Sequence, residues 1–451
     1  MYKKIVLLFG VFVFALVAEE KKLFVIIPSY NNALWAEKNL LSVLNQKYPN
    51  FEGIYVDDCS SDKTSTIIQK TLKQFDSTEK IEYVKNNKHR GKAANLWLTL
   101  HGFNAQKKIQ DDDIVVILDG DDWYPHDLVF SYLNQLYNTH DIWLTYGGFF
   151  RCPPQSDKPL VTIPKHAIQH NLFRSFRGCS AQQRTFYAWL YRHIKLSDLF
   201  FNGKFVPRAG DTAKIIPMME MAGPRFKRID EKIYAYNRAN AINDDKLDNL
   251  QNVIDHYIRE KLCKYQPLRE RDPREMSDQK IDIICLANTE QMDQQKLFLE
   301  ELEKNLKNAG KIHTLTSTQG NTFKKHFLDE CALSSDYVCV IKNLSDSNIP
   351  QLDLMLVKRV LWATQATTCY LKINTCPTVF EKLAYGINAV QHSCTRNFVP
   401  KHNLMDFQIF ETAALIRMLS KTNFVNIHAL IEKFSELPEF NNPLSVSLFV
   451  S

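Results

Sequence analysis

Short apolar runs alternate with amphipathic stretches along the first part of the chain. Four of the runs predict buried β-strands, at Leu23–Ile27, Gly53–Val56, Ile81–Val84 and Ile114–Leu118. The segments between them have apolar residues at the spacing of helices. This alternation of strand and helix predicts a parallel sheet with helices on its faces.

Polar side chains follow each of these predicted strands. In chain order they are Tyr30 and Asn31, Asp57 and Asp58, His89 and Arg90, and the residues from Asp119 to Asp122. Because the carboxyl ends of parallel strands meet at one edge of a sheet, these side chains can contact a single ligand. An aromatic ring, carboxylates and cations suit a nucleotide diphosphate. The sequence has no glycine-rich phosphate loop, so a metal ion and Arg or Lys would have to neutralise the phosphates.

The carboxylates after the fourth strand are the main candidates for a metal site. Asp119, Asp121 and Asp122 are spaced around Gly120. Mg²⁺ and Mn²⁺ prefer oxygen ligands of this kind and often share them with a substrate's phosphates. The alternative is an Asp-Gly turn with solvated charges, since both residue types are common in turns. The convergence of four polar loops on one sheet edge favours the ligand site.

Four motifs occur in order over this part of the chain. They are Ile-Ile-Pro-Ser-Tyr-Asn at 26–31, Ser-Val-Leu-Asn-Gln at 42–46, Val-Asp-Asp-Cys-Ser-Ser-Asp at 56–62 and Leu-Asp-Gly-Asp-Asp-Trp at 118–123. Together they closely resemble family 2 glycosyltransferases of the GT-A fold. The resemblance implies an α/β fold with a Rossmann-like, mostly parallel sheet and flanking helices.

The resemblance also implies roles for the polar residues at the strand ends. Tyr30 would stack on the nucleotide base, and Asp58, with Asp57 beside it, would bind the base or the ribose. For Asp57, a carboxylate at the start of the next helix is the alternative. A DxD-type site holding the diphosphate and a Mn²⁺ or Mg²⁺ ion would consist of Asp119, Asp121 and Asp122. Its metal ligands would be Asp121 and Asp122.

Candidates for the remaining chemistry lie further along. Asp211 stands where the family usually has Glu-Asp, with glycine in place of the glutamate, and this leaves Asp211 as the expected catalytic base. Capping of the following helix is the alternative role for Asp211. Glu220 is a second candidate for the base, or a partner for Arg184 or Arg225. Arg90 and Arg184 are candidates for contacting the donor, and a structural ion pair is the alternative for Arg184.

These residues predict a metal-dependent, inverting glycosyltransferase. A sugar hydroxyl is too weak an acid to ionise at neutral pH, so a positioned carboxylate must take its proton. The donor would be a nucleoside-diphosphate sugar, with a UDP-sugar favoured, and the acceptor a hydroxyl of a glycan, lipid or protein. A non-catalytic protein that keeps the GT-A shell and binds glycan or nucleotide is the alternative. A nucleotidyltransferase is a third option. It is disfavoured by three further motifs, which resemble a narrower branch of the same family: Thr-Tyr-Gly at 145–147, Arg-Thr-Phe at 184–186 and Pro-Met-Met-Glu-Met-Ala-Gly at 217–223.

The beginning of the chain differs from the rest. In residues 1–18, Lys3 and Lys4 precede an apolar run, which is the layout of a signal peptide. The imperfect cleavage site leaves an uncleaved membrane anchor open, and with it membrane association. We expect a secretory or membrane-associated protein if this segment functions, and a cytoplasmic one otherwise.

The remaining divisions are a glycosyltransferase domain at 22–265, a charged linker with two prolines at 266–279, and a second α/β domain at 280–451. Strands of the second domain are predicted at Ile281–Leu286, Ile312–Leu315, Tyr337–Ile341 and Cys369–Ile373, and helices at 293–306, 352–363 and 413–419. We expect its sheet to be parallel and Cys376 and His392 to be structural. A net charge of +6 gives no support to nucleic-acid binding, and the ten cysteines lack the CxxC spacing of zinc sites.

Overall fold

The computed structural model describes most of the first half of the chain and parts of the second. The described residues are 19–154, 161–178, 181–240, 249–262, 264–273, 276, 279–287, 299–300, 302–316, 337–341, 352–364, 368–373, 381–384, 387–391, 407–411 and 445–450. The predicted signal or anchor segment at 1–18 lies outside them, as do Cys376, His392 and the helix predicted at 413–419. Among the described residues, no helix has the length and apolarity that a membrane span needs.

Among the described residues, nine strands belong to the first domain. They are β1 (Leu23–Ser29), β2 (Phe51–Asp57), β3 (Ile81–Lys85), β4 (Ile114–Ile117), β5 (Leu144–Cys152), β6 (Arg184–Tyr187), β7 (Phe200–Phe201), β8 (Lys204–Phe205) and β9 (Phe226–Asn237). The α-helices are α1 (Ala36–Leu44), α2 (Thr64–Gln74), α3 (Lys92–Leu100), α4 (Val129–Thr139), α5 (Lys165–Gln169), α6 (Ala188–Arg192), α7 (Gly210–Ala222) and α8 (Leu250–Glu260).

Seven of these strands form one mostly parallel sheet, in the order β3-β2-β1-β4-β6-β5-β9. Strands β1 to β4 run parallel to one another, and β9 runs parallel to β5. Only β6 is antiparallel to its neighbours β4 and β5 within this sheet. The predicted GT-A-type sheet with flanking helices is therefore confirmed.

The central strands are buried because helices cover both faces of the sheet. Every residue of β1 and β4 is buried. Alternate residues of β1 face opposite layers, as the period of a strand requires. Phe24 belongs to the core that contains Trp97 of α3, whereas Val25 belongs to the core that contains Leu40 of α1 and Leu133 of α4. The loops at the carboxyl ends of these strands are thus attached to a rigid layer.

The second domain contains a mixed sheet. Its strands are β10 (Ile281–Ala287), β11 (Leu306–Lys307), β12 (Ala309–Thr316), β13 (Tyr337–Ile341), β14 (Leu352–Asp353), β15 (Thr368–Ile373), β16 (Glu381–Ala384), β17 (Ile387–Gln391), β18 (Phe407–Glu411) and β19 (Ser445–Val450), with helix α9 at Leu354–Thr364. The eight-stranded sheet has the order β12-β10-β13-β18-β15-β19-β17-β16. Strand β18 is antiparallel to β13 and β15, and β17 is antiparallel to β16 and β19. The expectation of a parallel sheet was therefore wrong.

The predicted linker is packed against the first domain. Its described residues form no helix or strand. The backbone N–H of Leu268 donates to the carbonyl of Met221 at 2.8 Å, and Nε2 of His193 lies 2.8 Å from the carbonyl oxygen of Asp272. Helix α9 contributes a further contact, because Nη1 of Arg359 donates to the carbonyl of Gly102 at 2.5 Å. The division into domains at 266–279 stays a prediction.

Candidate functional site

The loop from Asp119 to Trp123 is fixed against the end of β1. The N–H of Gly120 donates to the carbonyl of Pro28 at 3.0 Å. A Cβ atom at Gly120 would lie 2.5 Å from the side chain of Ser29, closer than atoms can approach, so this position requires glycine. The glycine between the carboxylates is therefore set by packing against β1.

A second brace comes from α1. The side-chain amide of Asn39 donates to the carbonyl oxygens of Asp119 and Asp122, at 2.9 and 2.7 Å. The N–H of Asp122 donates to the carbonyl of Asp119 at 3.0 Å and closes a turn. The ring of Trp123 is buried and stacks with Trp35 at 6.2 Å between centroids. These contacts fix the direction in which each carboxylate points.

Asp122 points into the protein. Its Oδ2 accepts a hydrogen bond from the hydroxyl of Tyr234 at 2.5 Å, and its Oδ1 accepts one from the backbone N–H of Asn237 at 2.7 Å. Burial and the nearby charges of Asp121 and Asp119 raise the pKa of Asp122 well above its usual range. Both carboxylate oxygens hold the loop against β9, which favours a structural role for Asp122, and its role as a metal ligand stays a prediction.

Asp121 is placed differently and remains the candidate metal ligand. Its carboxylate is half-buried, and Oδ2 accepts a hydrogen bond from the side-chain amide of Asn240 at 2.7 Å. Burial, with the charge of Asp119 nearby, raises the pKa of Asp121 to about 6, so a cation beside it would favour the ionised form. Within the described ranges, no three His, Cys, Asp or Glu side chains are grouped to hold a metal ion on their own.

Five charged side chains meet beside this loop, and we call them the charge cluster: Lys92, Asp119, Arg184, Asp211 and Lys214. Nζ of Lys92 lies 2.7 Å from Oδ1 of Asp119 and 3.2 Å from Oδ1 of Asp211. Nη2 of Arg184 lies 3.2 Å from Oδ2 of Asp119, and its Nη1 pairs with Asp211. Nζ of Lys214 also pairs with Asp211.

The fold explains why these side chains meet. Arg184 is the first residue of β6 and pairs in antiparallel register with Ile117, the last residue of β4, so it lies beside Asp119. Lys92 begins α3, and Asp211 lies in the first turn of α7, with Lys214 three residues later on the same helix. The N-termini of two helices therefore face the loop after β4, which favours negative charge there.

Two of the predicted roles must be revised at this cluster. Arg184 has no exposed surface, so it does not face a donor in this conformation and instead joins Asp119 to Asp211. Burial alone would raise the pKa of Asp211, but the charges of Arg184, Lys214 and Lys92 hold it well below its usual range. A carboxylate with such a low pKa is a weak proton acceptor. The role of Asp211 as the catalytic base stays a prediction, and it requires that the accepted proton can leave Asp211 for another group.

Glu220 is committed to a structural ion pair. It is fully buried and accepts hydrogen bonds from Nε and Nη2 of Arg174, at 2.6 and 3.0 Å, and from the N–H of Tyr265 at 3.0 Å. Its partner is thus neither Arg184 nor Arg225, the two partners expected. These bonds argue against Glu220 as the catalytic base.

Asp58 organises the loop between β3 and α3. Its Oδ1 accepts hydrogen bonds from the side chain of Asn86 at 2.7 Å and from the N–H of Arg90 at 2.9 Å, and its Oδ2 accepts one from the N–H of Gly91 at 2.7 Å. Nδ1 of His89 lies 3.0 Å from Oδ2. Asp58 therefore sets the backbone at Arg90, and its contact with a base or ribose stays a prediction, as does the contact of Arg90 with the donor.

Asp57 is fully enclosed by its own loop. It accepts hydrogen bonds from the N–H of Ser60 at 2.9 Å, from the hydroxyl of Tyr83 at 2.8 Å and from the hydroxyl of Ser65. Although burial would raise the pKa of Asp57, these bonds lower it. These contacts favour a role for Asp57 in shaping the loop into α2, which is the alternative role, and its contact with the base or the ribose stays a prediction.

Tyr30 presents an aromatic surface at the same edge of the sheet. Its side chain is 38% exposed, and its ring lies 4.3 Å from the ring of His89 between centroids. Two accessible rings at the end of β1 and β3 offer a surface on which a planar base can stack. The base-stacking role of Tyr30 stays a prediction.

Sequence reasoning missed several residues of the site. Lys92 follows the predicted basic loop directly and could have been found as its next cation. Lys214 lies three residues after Asp211, on the same helical face, which is the signal for an ion pair. The braces from Asn39, Tyr234 and Asn237 carry no signal of this kind, because each depends on a contact distant in sequence.

Comparison with known proteins agrees with this geometry. The family described as Glycosyl transferase family 2 matches residues 24–200, a range that includes the Asp119–Trp123 loop and Arg184 but ends before Asp211. This match over residues 24–200 confirms the resemblance carried by the four motifs.

Relatives cover only part of the chain. An uncharacterized glycosyltransferase of Haemophilus influenzae is 31% identical over 142 residues, which are 31% of this chain and 52% of that protein. One of Rickettsia bellii is 32% identical over 111 residues, which are 24% of this chain and 14% of that protein. The structure of S. aureus TarS in complex with UDP-GlcNAc aligns with a TM-score of 0.37 and 16% identity, over 49% of this chain and 59% of that chain. The chain thus spans about half the length of the first of these relatives and much less of the second.

Proposed function

We propose that this chain is a metal-dependent glycosyltransferase that moves a sugar from a nucleoside-diphosphate sugar to a hydroxyl acceptor with inversion at the anomeric carbon. One observation carries the proposal. In a segment that matches the model of glycosyl transferase family 2, the braced Asp119–Trp123 loop leaves Asp121 partly exposed next to the charge cluster. The same sheet edge presents Tyr30, and these groups together match the base, the phosphates and the cation of such a donor.

The residues present fit a divalent ion that is shared with the donor. Mg²⁺ is commonly held by one or two carboxylates together with substrate phosphates and water. Asp121 would supply the protein oxygen, because both oxygens of Asp122 are engaged and Asp119 is paired with two cations. A Mn²⁺ or Mg²⁺ ion bound there supplies positive charge that stabilises the leaving diphosphate.

The chain's own residues would orient the donor. The exposed ring of Tyr30 would stack on the base, with a UDP-sugar favoured, and the loop fixed by Asp58 would line the base and the ribose. Lys92 is partly exposed and pairs with both carboxylates of the cluster, so it can move to a phosphate. Asp211 would accept the proton of the attacking hydroxyl, and one displacement assisted by one base inverts the configuration.

A non-catalytic nucleotide- or glycan-binding protein remains a second candidate because Asp211 is paired with three cations. The two functions differ in one measurable result. We would incubate the full chain with a panel of nucleoside-diphosphate sugars and either Mn²⁺ or Mg²⁺, and measure release of nucleoside diphosphate. Release with at least one donor, lost in Asp121→Asn and kept in the surface control Asp127→Asn, supports the transferase. Nucleotide binding without release from any donor supports the binding protein.

A further inference from the structure

Lys214 differs from the other two cations of the charge cluster in its surroundings. Its side chain is 3% exposed, whereas that of Lys92 is 32% exposed. Lys92 and Arg184 each lie between Asp119 and Asp211, whereas Lys214 forms an ion pair with Asp211, three residues earlier on α7. Arg184 from β6 and Lys92 from α3 are the charges that face this pair from other elements.

The charges of the cluster do not balance when all five groups are ionised. Three cations then meet two carboxylates, which leaves one positive charge in excess. An uncompensated charge is costly in a buried site, and the favourable response is to lose it. Arg184 cannot release a proton, and Lys92 is held by two carboxylates and partly hydrated. Lys214 is the group that neutralises most easily, and burial lowers its pKa to about 7.

Asp211 is difficult to protonate in this cluster. Its two carboxylate oxygens contact Arg184, Lys92 and Lys214, so a proton placed on it meets like charge. It can take a proton from a hydroxyl only if that proton can move on. The nearest group able to receive it is the Nζ of Lys214 in its neutral form.

We propose that Lys214 is a positioning residue through which Asp211 acts as the base, by receiving the proton that Asp211 removes from the acceptor. This inference rests on the proposed transfer reaction. The acceptor's O–H bond breaks as its oxygen bonds to the anomeric carbon, and the bond from that carbon to the phosphate oxygen breaks with its electron pair on the leaving nucleoside diphosphate. The proton passes from the hydroxyl to Asp211 and then to the amine of Lys214, which becomes an ammonium group. Asp211 is left as a carboxylate, and Lys214 releases the proton to solvent water before the next turnover.

The pH dependence of the transfer rate tests this role in the full chain. In the wild type, kcat should rise with pH through a midpoint near 7, because only neutral Lys214 can accept a proton. Lys214→Arg keeps a positive charge, but the guanidinium group cannot accept a proton. We therefore expect kcat to fall by roughly 10²-fold, as for loss of a proton acceptor, and the rise of kcat near pH 7 to disappear. Lys204→Arg, at an exposed lysine of β8, should behave as the wild type. Donor affinity should be unchanged in both variants. An unchanged kcat and pH profile in Lys214→Arg overturns the inference.

A second readout does not depend on activity. NMR of the full chain with isotope-labelled lysine side chains, with Lys214→Arg to assign the signal, gives the protonation of Lys214 directly. A midpoint near 7 is expected, and a midpoint near the ordinary value of 10.5 overturns the inference whatever the activity. If Lys214 titrates near 7 but the wild type transfers no sugar, the proposed function has failed, and with it the proton transfer to Lys214. If the wild type is active and Lys214 titrates at its ordinary value, only the role of Lys214 has failed.

Discussion

The hydroxyl of Tyr234 lies 2.5 Å from Oδ2 of Asp122 and accepts a hydrogen bond from the N–H of Asp119 at 3.2 Å. Strand β9 therefore holds a loop that lies more than a hundred residues earlier in the chain. Buried hydrogen bonds in a network of this kind rigidify the groups they join. The position of Asp121 between these two residues thus depends on Tyr234.

We expect Tyr234→Phe to lower both stability and donor affinity. Removal of the hydroxyl leaves the buried carboxylate of Asp122 and the N–H of Asp119 without this partner, which costs about 1–3 kcal/mol. Denaturant unfolding measures the stability, and calorimetry with nucleotide and Mn²⁺ measures the affinity. Tyr132→Phe, which removes a surface hydroxyl bonded to Glu231, is the matched control and should change neither by much. Equal behaviour of the two variants would show that the loop does not need this brace.

Neighbouring carboxylates should differ in their response to mutation. Asp121→Asn should abolish the dependence of nucleotide binding on a divalent ion, because it removes the protein oxygen that we assign to the ion. Asp122→Asn should instead lower the melting temperature and keep the metal dependence, since its oxygens bind Tyr234 and Asn237. Calorimetry with and without EDTA separates the two. Equal nucleotide affinity in both conditions for the wild type would refute the metal assignment.

Replacement of Glu220 should affect folding and leave the chemistry alone. Breaking a buried ion pair by removal of one charge costs about 3–5 kcal/mol, and Glu220→Gln leaves Arg174 without its carboxylate. The melting temperature should drop, while the rate per folded molecule stays near that of the wild type. Thermal unfolding and transfer assays below the transition measure the two effects. If the Glu220→Gln protein is stable but has no sugar-transfer activity, Glu220 is the catalytic base.

Lys214 should make stability depend on pH in a defined direction. Its pKa is lowered to about 7 in the folded protein from 10.5, so between these values the unfolded chain binds a proton that the folded protein lacks. Stability therefore rises with pH over this window, by at most about 1.4 kcal/mol per unit. In Lys214→Met this contribution is absent. The free energy of unfolding of both proteins is measured from pH 7 to 9. As the pH rises, the wild type should gain stability relative to Lys214→Met. A constant difference would contradict the lowered pKa.

The strands of the first domain could be predicted because strands buried on both faces appear as continuous apolar runs. The strand at Ile114–Ile117 is found where the sequence placed it, one residue shorter, and in the second domain Tyr337–Ile341 is found at its predicted bounds. An apolar run does not encode the direction of its strand, however. The antiparallel β18 follows a long segment after β17, and no pattern in the sequence distinguishes it from a parallel strand.

The site could be predicted as a set of residues but not residue by residue. Asp57, Asp121 and Asp122 are the same residue type in similar loops, yet two of them are buried among protein donors and Asp121 is partly exposed. The difference arises from donors such as Tyr83 and Tyr234 that only the folded chain brings near. The burial of Arg184 between two carboxylates follows from the antiparallel register of β6. The sequence does not show this register, and Arg184 was therefore expected to contact the donor.

The central claim is tested most directly by the transfer rate of Asp211→Asn, with Asp230→Asn on the surface of β9 as control. Asparagine keeps the size of the side chain but cannot accept the acceptor's proton. We predict that transfer falls by about 10²–10⁴-fold with any donor and acceptor pair that the wild type uses, while donor affinity is retained. Near-normal transfer by a folded Asp211→Asn protein would contradict the account.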